Sequence, residues 1–104
     1  MEFNTALLHQ QFDSDTQNGA TIPPIYQVSA FAQSSAEQLE KVFNNKAAGF
    51  AYTRISNPTV DAFEKRVAAM EQGIGAVSCS SGMTAVTMAL LNILHAGDEV
   101  IAGS

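Results

Sequence analysis

The sequence predicts an α/β protein. Residues 1–57 read as an N-terminal arm with a short helix near 35–44, and residues 58–104 as the start of a large α/β domain. Three observations carry this. Two short apolar runs, 76–79 and 99–102, flank a helical stretch at 83–95, the order of a βαβ unit. Pro23 and Pro24 hold the early chain extended, because each fixes its own φ and pushes its predecessor out of the helical region. Asn57-Pro58 marks a helix start: Asn is a favoured N-cap, and Pro suits a first position whose N–H has no intrahelical partner.

In chain order, a short helix is expected near residues 5–11, and the polar stretch 13–19 reads as a loop. From Ile22 to Phe31 the chain reads as an arm; a Pro-rich ligand for a partner groove is the alternative. Ser34 and Glu37 have capping-box spacing ahead of Leu39, Val42 and Phe43, which predicts the helix ending near Asn44-Asn45. After Asn57, Val60, Phe63, Val67 and Met70 recur on one helical face. Asp61 and Lys65 form an i,i+4 pair, and Gly73 and Gly75 are expected to end that helix. Met83, Val86, Met88, Leu90, Leu91, Ile93 and Leu94 make the next helix apolar on most sides, so it needs covering by more protein. A parallel sheet is normally covered on both faces and has several strands. The chain is therefore expected to be the first part of a larger, truncated α/β domain, or one that needs other chains to bury its surface.

Composition narrows the function. The 104 residues are 46% hydrophobic and 14% charged, ordinary for a globular chain with much to bury. A net charge of −5 argues against nucleic-acid binding through phosphate contacts and gives no support for an anionic membrane partner. No apolar run is long enough to span a bilayer, and the N-terminus lacks the pattern of a secretory leader. The single cysteine fits a reducing compartment, so a cytoplasmic location is expected. His9 and His95 stand apart, and no cluster has metal-ligand spacing.

Two stretches carry candidate chemistry. At 79–86, "CSSGMTAV" places a Ser/Gly turn before a helix, where free N–H groups and the helix dipole suit an anion such as phosphate. Gly82 would let the backbone approach a ligand. A plain cap by Ser80 or Ser81 is the alternative. Ser81 lacks the flanking glycines of a nucleophile elbow, and Cys79 reads as a small buried strand residue. In the second stretch, Arg54 offers a planar fork of donors, and Tyr52 two residues earlier would point the same way in extended backbone. The two could reach one anion together. The alternative is a loop arginine paired with a nearby carboxylate, its stem covered by the tyrosine.

"YTRISNPT" (52–59) followed by "SSGMTA" (80–85) resembles the pyridoxal-phosphate enzymes of cysteine and methionine metabolism. "IPPIYQVSAF" looks like that family's N-terminal arm, and "GDEVIAGS" like the strand after the first helix of its large domain. The resemblance implies the type I pyridoxal-phosphate transferase fold. Tyr52 and Arg54 would bind the cofactor phosphate of a neighbouring subunit, and the Gly82 and Met83 amides the phosphate of their own. Asn57-Pro58-Thr59 would start a helix and touch no ligand. The family's Schiff-base lysine and its partners to ring and substrate would lie beyond Ser104, and Lys41, Lys46 and Lys65 match no lysine motif. The chain alone is therefore expected to be inactive, with no catalytic residue of its own. The partners implied are a small amino-acid substrate and further copies of the chain, as a dimer of dimers. Within the family the stretch 42–71 looks most like O-acetylhomoserine sulfhydrylases, which replace acetate on O-acetylhomoserine with sulfide or a thiol to give homocysteine or methionine. Cystathionine γ-synthase or methionine γ-lyase activity is an alternative. Competing readings from other classes are a non-catalytic self-association module and an unrelated phosphate-binding domain.

Overall fold

The computed structural model describes residues 2–9 and 18–103. Four helices follow in order: α1 (Phe3–His9), α2 (Ala36–Phe43), α3 (Pro58–Met70) and α4 (Gly82–Ile93). The helix expected near 5–11 is α1, which begins two residues earlier; Gln10, Gln11 and most of the expected loop at 13–19 lie outside the described residues. Among the described residues α1 and α3 are the only helices that pack on each other.

Capping sets the bounds of α2. Its N-cap is Ser35, whose hydroxyl accepts the Gln38 N–H at 3.1 Å, so the cap falls one residue later than the Ser34–Glu37 spacing predicts. The same S-x-x-E/Q logic holds in the shifted register, with Gln38 at the third helical position. At the other end Asn45 takes a left-handed φ of 54°. Lys46 N–H then donates to the Lys41 carbonyl at 2.8 Å, and Asn45 N–H to Val42 at 3.1 Å. This is a Schellman closure, and Asn tolerates the required conformation.

Helix α3 begins as predicted, with Asn57 as N-cap and Pro58 at the first position. Lys65 meets Asp61 at 2.7 Å. Its end departs from expectation. The left-handed position is Gln72, φ 54°, and Gly73 closes the turn by donating its N–H to the Ala68 carbonyl at 2.8 Å. Glycine is thus not the residue that reverses the chain here. The predicted face of Val60, Phe63, Val67 and Met70 is present, but none of α3 is fully buried, and Phe63 is exposed.

The expected βαβ unit is corrected by the structure: among the described residues there is no strand. A strand exists only through its ladder, and neither apolar run finds one. The Ser78 N–H, which a ladder would use, goes instead to the Glu64 carboxylate at 2.7 Å, with the Ser78 hydroxyl on the same oxygen at 2.9 Å. Ile74 and Ile101 are fully exposed. Cys79, expected to be buried, is exposed too, its thiol 3.4 Å from the Ser81 carbonyl oxygen. Helix α4 stops at Ile93, two residues early, and the chain turns at 95–98, where Asp98 accepts the His95 N–H at 2.7 Å.

The chain is open. Its surface is 8799 Å², against about 5,600 Å² for a compact 11.0 kDa monomer. Its radius of gyration is 17.5 Å, against roughly 13 Å for a compact domain of this length. Among the described residues only Val42 and Asn57 are classed as buried. The apolar sides of α4 are exposed, as expected of a helix that other protein should cover.

Candidate functional site

The arm and the segment 50–59 are laced together, and this lacing builds the first half of the candidate site. Ala30 and Tyr52 form an isolated antiparallel bridge. Phe31 N–H donates to the Ala51 carbonyl at 3.0 Å, and Thr53 N–H to the Ser29 carbonyl at 2.8 Å. Behind them the rings of Tyr26, Phe31 and Phe50 form a tilted series, with centroids 6.4 and 5.9 Å apart.

Asn57 is the hub of this lacing and is only 3% exposed. Its amide oxygen accepts the Thr59 N–H at 2.8 Å, which caps α3. Its amide nitrogen donates to the Tyr26 carbonyl and to the Thr53 hydroxyl, each at 3.0 Å. Thr59 adds two contacts: its hydroxyl accepts the Tyr26 N–H at 2.9 Å and donates to the Pro24 carbonyl at 3.3 Å. A cap that satisfies a helix and also pins a distant arm is more than the cap the sequence suggests. The one available signal was a set of side chains suited to backbone hydrogen bonding, Thr53, Asn57 and Thr59, beside a proline.

Between the bridge and the cap the chain turns sharply. Ile55 and Ser56 N–H groups both donate to the Tyr52 carbonyl, at 2.9 and 3.1 Å. Tyr52 and Arg54 therefore meet across a turn, not along extended backbone. The Arg54 guanidinium carbon lies 5.5 Å from the Tyr52 ring centroid, within cation–π range. Both residues are exposed, and among the described residues Arg54 makes no ion pair. The local alternative of an arginine neutralised by a carboxylate is thus absent there, while its tyrosine stacking is present. The guanidinium donors are left available for an anion.

The second half is the start of α4. Ser81 is the N-cap, its hydroxyl 3.1 Å from the Thr84 N–H, so the cap is real. It spends only one of the free donors at a helix start. The N–H groups of Gly82 and Met83, at the first two helical positions, have no intrahelical acceptor and face the favourable end of the helix dipole. A Cβ built on Gly82 would meet nothing within 4 Å, so open space lies over this turn. Among the described residues no hydrogen bond or ring contact joins Tyr52 or Arg54 to Gly82 or Met83. The structure brings the residues together in two pairs.

Residues 4–104 match the family described as Cys/Met metabolism PLP-dependent enzyme. The chain belongs to this family. Pyridoxal phosphate is the family's cofactor. The residues fit it: both halves of the site offer free donors of the kind a phosphate requires. Among relatives, the chain is 38% identical to an L-methionine gamma-lyase of Pseudomonas putida, over 98% of this chain and 26% of that one. It is 42% identical to an O-acetyl-L-homoserine sulfhydrylase of Corynebacterium glutamicum, over 95% and 23%. Its fold matches a Campylobacter jejuni crystal structure that contains N'-pyridoxyl-lysine-5'-monophosphate. The TM-score is 0.84 and the identity 36%, covering 94% of this chain and 24% of that one. The chain thus spans about a quarter of the length of these relatives. Among the described residues no helix is long and apolar enough to cross a membrane.

Proposed function

We propose that this chain forms part of the cofactor-phosphate cradle of a sulfur amino-acid enzyme. In this reading Arg54 and Tyr52 hold the phosphate of one subunit's cofactor from a neighbouring subunit. Gly82 and Met83 hold it from their own through backbone N–H groups. The observation that carries the proposal is Arg54: a guanidinium on a pinned turn, stacked on Tyr52, with no ion pair among the described residues. Arg54 offsets the phosphate charge, the other three donors orient it, and Ser81 fixes the start of α4 so that two amides stay free. Bound pyridoxal phosphate supplies the electron sink for bond breaking next to the substrate's amino group. This chain's part is to hold and orient it; the lysine that carries it is not among Lys41, Lys46 and Lys65.

The reaction we propose for the whole protein is γ-replacement on O-acetylhomoserine with sulfide or a thiol, giving homocysteine or methionine. The sulfhydrylases among the relatives support it. A methionine γ-lyase reaction is the second reading, supported by relatives at 38% and 41% identity. Feeding the whole protein O-acetylhomoserine with sulfide, or methionine alone, separates the two by product. Arg54→Ala tests the cradle directly: cofactor affinity should fall on the order of a hundredfold, as expected for losing a bidentate charged contact. Unchanged affinity would remove Arg54 from the phosphate site.

A further inference from the structure

Thr53 lies between the two residues of the phosphate turn, and its side chain makes contacts that burial does not demand. The residue as a whole is exposed, yet its hydroxyl is engaged on both sides: it donates to the Val28 carbonyl and accepts the Asn57 amide at 3.0 Å. The Thr53 N–H adds a bond to the Ser29 carbonyl at 2.8 Å. Thr53 is thereby tied at backbone and side chain to two consecutive residues of the arm and to the cap of α3. Tyr52, one residue before, begins the turn by accepting the Ile55 and Ser56 N–H groups. Arg54, one residue after, has no hydrogen bond or ion pair of its own among the described residues. Among the described residues its side-chain contact is with the Tyr52 ring, whose centroid lies 5.5 Å from the guanidinium carbon.

We infer that Thr53 is a positioning residue: its hydroxyl, clamped between the Val28 carbonyl and the Asn57 amide, sets the direction in which Arg54 is presented to the cofactor phosphate. This rests on the proposed phosphate role of Arg54. A long arginine carries much rotamer entropy, and a fixed backbone origin reduces what is lost on binding. The arm then has a function beyond packing, since residues 28 and 29 supply the acceptors that hold the turn.

The test is a double-mutant cycle in the whole protein, reading affinity for pyridoxal phosphate and for pyridoxal, which lacks the phosphate. Thr53→Val keeps the side-chain shape and removes the hydroxyl; Thr53→Ser keeps the hydroxyl and is the conservative rescue. Thr53→Val should weaken pyridoxal phosphate about three- to tenfold, the range expected for one lost hydrogen bond, and leave pyridoxal unchanged. Thr53→Ser should stay near the parent. In an Arg54→Ala background Thr53→Val should have no further effect, because a residue that acts only through Arg54 has nothing left to position. Equal losses for both ligands, or additive losses in the double variant, would reduce Thr53 to a structural residue and overturn the inference. If Arg54→Ala lowers affinity and Thr53→Val does not, this inference alone fails. If Arg54→Ala has no effect, the phosphate reading fails and takes the inference with it.

Discussion

Replacing Asn57 by alanine removes a side chain that belongs at once to the arm, the turn at 52–56 and the start of α3. Three hydrogen bonds go: the accepted Thr59 N–H at 2.8 Å, and the bonds donated to the Tyr26 carbonyl and the Thr53 hydroxyl at 3.0 Å. Loss of an N-cap costs about 1 kcal/mol, and each of the other two bonds about 0.5–1.5 kcal/mol. At 3% exposure water cannot easily replace them, so the local cost is about 2–4 kcal/mol. Hydrogen–deuterium exchange reads this segment by segment. Amides of Phe31 and Thr53, protected by bonds between arm and turn, should exchange about 30- to 900-fold faster where opening of this unit limits exchange. Amides within α4, which has no hydrogen bond to Asn57, should not change. Asn57→Asp keeps the capping oxygen but turns a carboxylate oxygen toward the Tyr26 carbonyl in a site only 3% exposed, so it should free the arm at least as much as alanine does while sparing the cap of α3. Acceleration confined to the first turn of α3, with the arm unaffected, would refute the hub and leave Asn57 a cap only.

Gly49 has φ 152°, and a Cβ there would lie 3.2 Å from Val42 Cγ2. Gly49→Ala should therefore cost about 1–3 kcal/mol, visible as a lowered melting temperature. Gly82→Ala meets no neighbour within 4 Å and should leave the melting temperature unchanged or slightly raised, while cofactor titration shows weaker binding. Asp61→Asn removes a surface pair whose side chains are 37% and 56% exposed, and should change stability by less than about 0.5 kcal/mol in urea unfolding.

Much of the helical structure was legible because its signals are local. Asn57-Pro58 placed the start of α3 to the residue, and the Ser-Ser-Gly turn placed α4. Caps that compete with an adjacent equivalent were less legible: Ser35 took the role that spacing gave to Ser34. The turn of Tyr52 and Arg54 was not legible, because an i, i+2 relation assumes extended backbone, while the bonds from Ile55 and Ser56 curl it. The strands failed for a related reason. Residues 76–79 and 99–102 have strand composition, but a strand is a relation between segments, and the Ser78 amide pairs with Glu64. The link between the arm and Asn57 spans 31 residues, beyond the reach of any local pattern.

The central claim is that Arg54 and Gly82 serve the same phosphate from different subunits. Subunit complementation tests it most directly. Arg54→Ala and Gly82→Asp variants of the whole protein, each weak in cofactor binding, are dissociated, mixed and reassembled. If the two residues act across the interface, each mixed pair contains one site with both residues intact and one with neither. About half the sites in the mixed pairs should then regain parent affinity for pyridoxal phosphate. If they act within one chain, every site keeps a defect and no tight binding returns, which would contradict the account.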